Sequence, residues 1–399
     1  MSTDAMLAEQ LEDAPTTIPF QPTSTIKVLH VINGEHFSGA ERVQDLLAVN
    51  LPRCGYEVGF ACVKPDRFPE TRESASPLFE LPMRGRFDFA CGRRVAQLVR
   101  DEQYALIHAH TPRSLLVGSI AAKLAGVPLI YHVHSPAGRD STRRLANWAN
   151  LWLERRSARR AARLVAVSPS VRQYMIEAGF PEEKVVYVPN GVPKIDVAPR
   201  TETPKSWTLG MAALFRPRKG IEVLLEALAS VRSTGLDVRL RAIGPFETPE
   251  YESEVMALVE KLGVTDAVDW TGFVTDIPAE LAEIDVSVLP SLFGEGLPMV
   301  VLEAMAAGVP VIASSVEGIP EAIRHRQEGL LVEPGSVSQL ALAIEDLVGS
   351  PLIAHPEQHP IDYPAMSAAA QERHAERFSA EAMAANLAQV YDDVLGVSS

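Results

Sequence analysis

Two doubly wound α/β units, each built on a parallel sheet and facing each other across a cleft, are what this chain predicts. Three observations lead there. Short apolar runs alternate with helical patterns almost from end to end, as in parallel α/β architecture. A polar stretch with prolines at 193, 199 and 204 interrupts the alternation midway. Glycines and polar residues gather just after the strand-like runs, where open α/β sheets bind ligands.

In order, residues 1–24 hold acids and prolines without an apolar core, so they read as a flexible tail and not a secretory signal. Strands are expected at 26–32, 57–63, 104–109, 129–133, 164–167 and 185–188, with helices between them, for instance at 40–51 and 114–125. These make a first unit over 25–192. Asn190-Gly191-Val192 closes it, with Gly191 expected to turn the chain at positive φ. Residues 193–206 are the linker, and the second unit runs over 207–376. Its strands are expected at 207–212, 238–243, 268–271, 286–289 and 309–313, with a helix at 221–231.

The chain has 399 residues, enough for two domains that each bury a core. Apolar content of 47% and charged content of 22% suit a soluble globular protein, and a net charge of −14 argues against general nucleic-acid binding. Cys54, Cys62 and Cys91 lack metal or redox spacing and read as free thiols in a reducing compartment. The longest apolar run, 296–315, is broken by Glu303 and two prolines, so it is no membrane span. A cytoplasmic protein is expected.

The densest motif is Pro290-Ser-Leu-Phe-Gly-Glu-Gly-Leu-Pro-Met-Val-Val-Leu-Glu-Ala-Met-Ala-Ala-Gly-Val-Pro310. A Gly-rich turn leads into a helix with Pro298 suited to its first turn. Glu295 and Glu303 stand eight residues apart, one in the turn and one about a turn into the helix. A helix N-terminus favours phosphate, and a carboxylate one turn in can accept from ribose hydroxyls. Gly296, Leu297 and Pro298 complete this cradle. The whole segment resembles the signature of retaining glycosyltransferases of family 4, and the resemblance extends over roughly residues 26–345. It implies the GT-B fold: two facing Rossmann-like domains, with a last helix that crosses back to the first. Ala380–Leu395 is the candidate for that helix, within a terminal segment over 377–399.

The resemblance also implies roles. Lys219-Gly220 matches the element whose lysine binds the donor diphosphate. The arginine that usually stands five residues earlier is Leu214 here, so that role is assigned to Arg216, with Arg218 as the alternative. Glu303 would hold the donor ribose and Glu295 the sugar. Gly244 ends a strand where a Gly-rich turn is usual, and Phe273 and Val274 resemble the segment that borders the base. Phe273 also reads as a plain core aromatic. Ser38-Gly39 stands where the family has two glycines, and Gly39 permits close backbone approach. His134 matches the histidine that faces the transferred sugar. Period-two alternation puts His108 with His110, and His132 with His134, on one side of their strands, with His110 and His134 nearer the cleft. Zinc is the lesser reading of these histidines. Neutral imidazoles that bond substrate are the simpler one, and no metal is expected.

Residues 139–163 hold eight arginines with Trp148 and Trp152, which suits an anionic membrane surface or acceptor, against a solvated basic helix packed by its tryptophans. The expected activity is transfer of a sugar, with retention, from a UDP- or GDP-sugar to a lipid-linked, polysaccharide or small glycoside acceptor, with no cofactor. A sugar-nucleotide epimerase or hydrolase, and a non-catalytic nucleotide-sugar or membrane-binding module, are the competing readings.

Overall fold

The computed structural model describes residues 25–37, 39–85, 88–135, 154–349 and 360–397. The tail, Ser38, Trp148 and Trp152 lie outside them, as does most of the basic segment. Seven parallel strands form the first sheet, in the order β3-β2-β1-β4-β5-β6-β7. They are β1 Ile26–Ile32, β2 Tyr56–Cys62, β3 Leu78–Glu80, β4 Leu106–Ala109, β5 Leu129–Val133, β6 Arg163–Ala166 and β7 Val185–Tyr187. Six more, in the order β10-β9-β8-β11-β12-β13, form the second: β8 Trp207–Ala212, β9 Val238–Ile243, β10 Val268–Gly272, β11 Val286–Leu289, β12 Val311–Ser314 and β13 Gly329–Val332. These pairs too are all parallel.

Most strands form close to where expected because they are apolar runs covered on both faces; β4, β5, β11 and β12 are buried at every residue, whereas β10 has none fully buried. Two strands escape the sequence reading. β3 is a three-residue edge, and β13 follows the turn at 326–328. β12 starts at Val311, after the expected 309, because Pro310 has no N–H to give the ladder.

Helix starts are written in side chains. Thr111, Ser168, Thr248, Ser336 and Ser379 each accept from the backbone N–H three residues on. Residues 193–206 form no helix or strand and lead from one sheet to the other. The closing helix, Ala380–Leu395, returns to the first sheet: Tyr56 Oη donates to Asp392 at 2.5 Å, and Val192 bridges to Ser379. The apolar core around the first sheet runs on into Val301, Leu302 and Met305 of the second half and into Leu387 of this helix.

Gly191 corrects an expectation. It is not among the glycines with positive φ; a Cβ there would stand 2.2 Å from the Ser379 carbonyl oxygen. Close approach of the last helix, not a turn, demands the glycine.

Candidate active site

The strand ends of the two sheets meet at the turn 294–298 and the helix Met299–Ala306. Pro298 is the residue before that helix, one position earlier than its expected place in the first turn. Gly296 is pressed from both sides: a Cβ would lie 1.9 Å from the His134 carbonyl oxygen, and the Gly296 oxygen itself leaves no room for a Cβ on Gly318. The Leu297 carbonyl accepts from Asn190 Nδ2 at 2.9 Å. Gly39 opens the helix Gly39–Asn50 against Met299, so two helix N-termini approach one place. Their unpaired N–H groups and positive dipole ends make that place favourable to an anion.

Around it the charges are paired and largely buried. Glu295 Oε1 takes Lys219 Nζ at 2.5 Å, Arg218 at 3.4 Å and the Ser291 hydroxyl at 2.8 Å. Burial lowers the Lys219 pKa, against the pull of Glu295. Glu303 bonds to Arg42 of the opposite half, and burial raises its pKa against that cation.

The geometry separates the two candidate arginines. The short turn Pro217–Lys219 sends Arg218 to Glu295 and to the Phe293 and Gly294 carbonyls. Arg216 instead meets Glu247 at 3.4 Å. The expected pairing of Arg216 with Lys219 is therefore not the one present, and Arg218 stands beside the lysine.

Other candidates find structural reasons. Gly244, at φ 126°, lies against the Ala213 carbonyl, where a Cβ would stand at 2.0 Å, and its N–H bonds to Gly272 O at 2.9 Å. Phe273 is 68% exposed just beyond β10, so the core-aromatic reading fails. Val274 beside it is half-buried.

On the first-sheet side the histidines gather. His30 pairs in register with His108 across β1 and β4, and the rings of His108, His110, His132 and His134 stack in sequence. His134 Nε2 lies 3.3 Å from His110 Nδ1, and His110 Nε2 lies 3.2 Å from His30 Nδ1. Tyr391 Oη of the closing helix reaches His30 Nε2 at 3.0 Å and His108 Nδ1 at 2.7 Å. Burial holds the imidazoles neutral: pKa falls to about 3 for His30 and about 4 for His134, and well below the usual value for the others. Two trios, His30 with His108 and His110, and His110 with His132 and His134, bring ring nitrogens within 4.8 Å, a donor set that zinc accepts.

Sequence reasoning missed three contributors. Arg42 follows directly on the Gly39-Ala-Glu41 element and would have been found by extending that motif one residue. Glu317 holds the Gly294 and Glu295 amides at 3.0 and 3.3 Å from a backbone at φ 36°, a costly conformation of the kind that clusters at functional sites. His30, alone in an apolar strand, gave no signal.

Comparison with known proteins agrees with this arrangement. A model of the family described as "Glycosyltransferase Family 4" matches residues 37–194, and one described as "Glycosyl transferases group 1" matches residues 207–350. The phosphatidyl-myo-inositol mannosyltransferase of Mycobacterium leprae is 29% identical over 72% of this chain and 77% of its own. The GDP-mannose-dependent α-(1-6)-phosphatidylinositol monomannoside mannosyltransferase of Mycobacterium tuberculosis is 30% identical over 71% of this chain and 73% of its own. Among solved structures, Anabaena Alr3699/HepE in complex with UDP superposes with a TM-score of 0.78 at 23% identity, over 92% of this chain and all of that one. It shows that the two wound halves are the GT-B arrangement. With both halves matched and these relatives at such coverage, the chain belongs to glycosyltransferase family 4.

Proposed function

We propose that the protein moves a sugar from a UDP- or GDP-sugar to a lipid-linked or polysaccharide acceptor, with retention of anomeric configuration. The observation that carries this reading is the convergence of Lys219 and Arg218 on Glu295, beside the N-terminus of the helix Met299–Ala306. Preformed cations and backbone N–H groups stabilise a departing diphosphate, whose charge grows toward the transition state. Donor diphosphate takes over the cations that Glu295 now holds, and Glu295 turns to the sugar hydroxyls. Glu303 accepts from the ribose, and His134 faces the transferred sugar. The donor's phosphate assists acceptor deprotonation on the same face, so these residues need no metal for the step.

The names of the two mycobacterial relatives support a lipid headgroup as the acceptor class. No helix among the described residues is long and apolar enough to cross a membrane. Arg155, Arg156, Arg159 and Arg160 are exposed, and we assign residues 139–163 to peripheral contact with the anionic surface that presents such an acceptor.

Thermal denaturation with UDP-, GDP- and ADP-sugars is the test. A ligand at about 100 times its Kd stabilises by about 2.7 kcal/mol, a readily measured shift in Tm. A shift with one nucleotide class, followed by sugar transfer to a polyprenyl or phosphoinositide acceptor, supports the reading. No shift with any nucleotide sugar overturns it.

A further inference from the structure

The hydrogen bonds from the cleft to the last helix form one unbroken row: His134, His110, His30, Tyr391, His108. Each imidazole is neutral, so each has one N–H and one lone pair. The Tyr391 oxygen could accept from both His30 and His108, but that would strand its own buried O–H. With the hydroxyl donating within the row, only two proton arrangements satisfy every bond, and its direction selects between them. In one, Tyr391 donates to His108, and all four histidines carry the proton on Nε2. In the other, Tyr391 donates to His30, and all four carry it on Nδ1.

The ends of the row decide. His108 Nε2 is buried and has no partner. The first arrangement leaves an N–H stranded there, the second only a lone pair, and stranded buried N–H groups are the rarer and costlier case. His134 is half-buried, so its Nδ1 end is the less demanding one.

We propose that Tyr391 is a positioning residue that holds His134 as the Nδ1–H tautomer through His30 and His110, so that His134 offers the cleft a proton and not a lone pair. The group it recognises is an oxygen acceptor on the transferred sugar. This rests on the reading that His134 faces that sugar, whereas the tautomer itself is a property of the free protein. The cluster His30, His108 and Tyr391 thus gains a purpose that neither core packing nor the diphosphate requires. Its position also ties the closing helix to the chemistry, since loss of that helix removes the hydroxyl that orients the row.

The full chain labelled with 15N-histidine tests the tautomers directly, without any ligand. Long-range 1H–15N spectra at pH 7.5 should show His30, His108, His110 and His134 all protonated on Nδ1. His134 protonated on Nε2 overturns the proposal. So does one zinc per chain in protein purified without chelator, because the metal would take the lone pairs that the row needs. Tyr391→Phe keeps the ring against Tyr56 and removes only the hydroxyl; mixed tautomers are expected at His30 and His134. In that variant the Kd for UDP-glucose or GDP-mannose, whichever binds, should rise about three- to tenfold, with the Kd for the bare diphosphate unchanged. Unchanged tautomers in Tyr391→Phe refute the role of Tyr391 even if the sugar-transfer reading stands. The Nδ1–H pattern with no nucleotide sugar bound refutes that reading and leaves the row intact.

Discussion

On the second-sheet side of the cleft, Lys219 and Arg218 meet Glu295 as charges; on the first-sheet side five imidazoles stand together, four joined with Tyr391 in one row of hydrogen bonds and His132 stacked among them. Both groups sit at strand ends or just beyond them in sheets of the same winding, and both are largely removed from water. Burial therefore acts on both, with opposite results. Where cations and a carboxylate come together, burial is met by pairing and the ions persist. Where only imidazoles come together, protonation would place like charges side by side, so the rings stay neutral. The same position in the fold thus carries fixed charge on one side and uncharged hydrogen-bonding groups on the other, which the proposed function gives to the diphosphate and the sugar respectively.

The largest expected effect breaks the comparison by pH. The buried histidines have folded pKa values well below the ordinary 6.5, about 3 for His30 and about 4 for His134. Below pH 6.5 the unfolded chain takes up protons that the folded chain refuses. Their contribution is therefore complete above pH 6.5 and is lost as pH falls toward the folded values, at about 1.4 kcal/mol per pH unit for each histidine that stays neutral. Urea unfolding at pH 7.5 and 5.5 should show a loss of several kcal/mol, reduced by replacing His108 and His132 with asparagine. A flat profile would mean that the imidazoles take up protons in the folded protein as readily as in the unfolded chain.

Removal of charge on the other side should affect rate first. Lys219→Ala is expected to lower kcat about 10²–10³-fold, the usual cost of one lost transition-state donor. Arg218→Ala should follow it, and Arg216→Ala should cost much less, since Arg216 is engaged with Glu247. Steady-state kinetics of the three variants decides the order. Greater sensitivity at Arg216 would return the diphosphate to that residue and show that the cleft rearranges when donor binds.

Glu303→Ala is expected to weaken nucleoside diphosphate binding by about 1.5–3 kcal/mol, the contribution of a hydrogen bond to a charged group. Calorimetric titration reads this directly, and an unchanged Kd would leave Glu303 with Arg42 alone as its partner.

Much of this was legible in the sequence. The strand at 26–32, the strand at 207–212 and the helix at 380–395 agree with the structure to the residue, because apolar runs between turn signals have few other ways to bury themselves. Lys219 and Glu295 meet at 2.5 Å, while Glu303, in the helix that follows, is paired with Arg42. What escaped depends on distance or direction. Arg42 and Glu303 are 261 positions apart, so their pairing exists only once the halves face each other. Arg216 and Arg218 are two residues apart, and only the short turn between them decides which one meets Glu295. The histidine row needs the sheet order β1-β4-β5 to align three strands, and then a tyrosine from the last helix. Spacing along the chain carries none of that.

The smallest expected effect sharpens the comparison at its outer edge. The basic segment belongs to the half with the neutral histidines, and its arginines 155, 156, 159 and 160 are exposed. Each basic side chain near an anionic surface contributes about 1 kcal/mol, and the attraction is screened by salt. Cosedimentation with vesicles that contain phosphatidylserine should therefore occur at low ionic strength, fade as salt is added, and drop when these four arginines become glutamine. Pure phosphatidylcholine vesicles should bind poorly, because a single short segment lacks the apolar area for stable insertion. Activity on a water-soluble acceptor should be the same in the quadruple variant, since none of the four arginines contacts Lys219, Glu295 or Glu303. Equal binding to neutral and anionic vesicles would assign the contact to Trp148 and Trp152 instead of the charges. Absence of binding to either at low salt would make an acceptor free in solution the better reading.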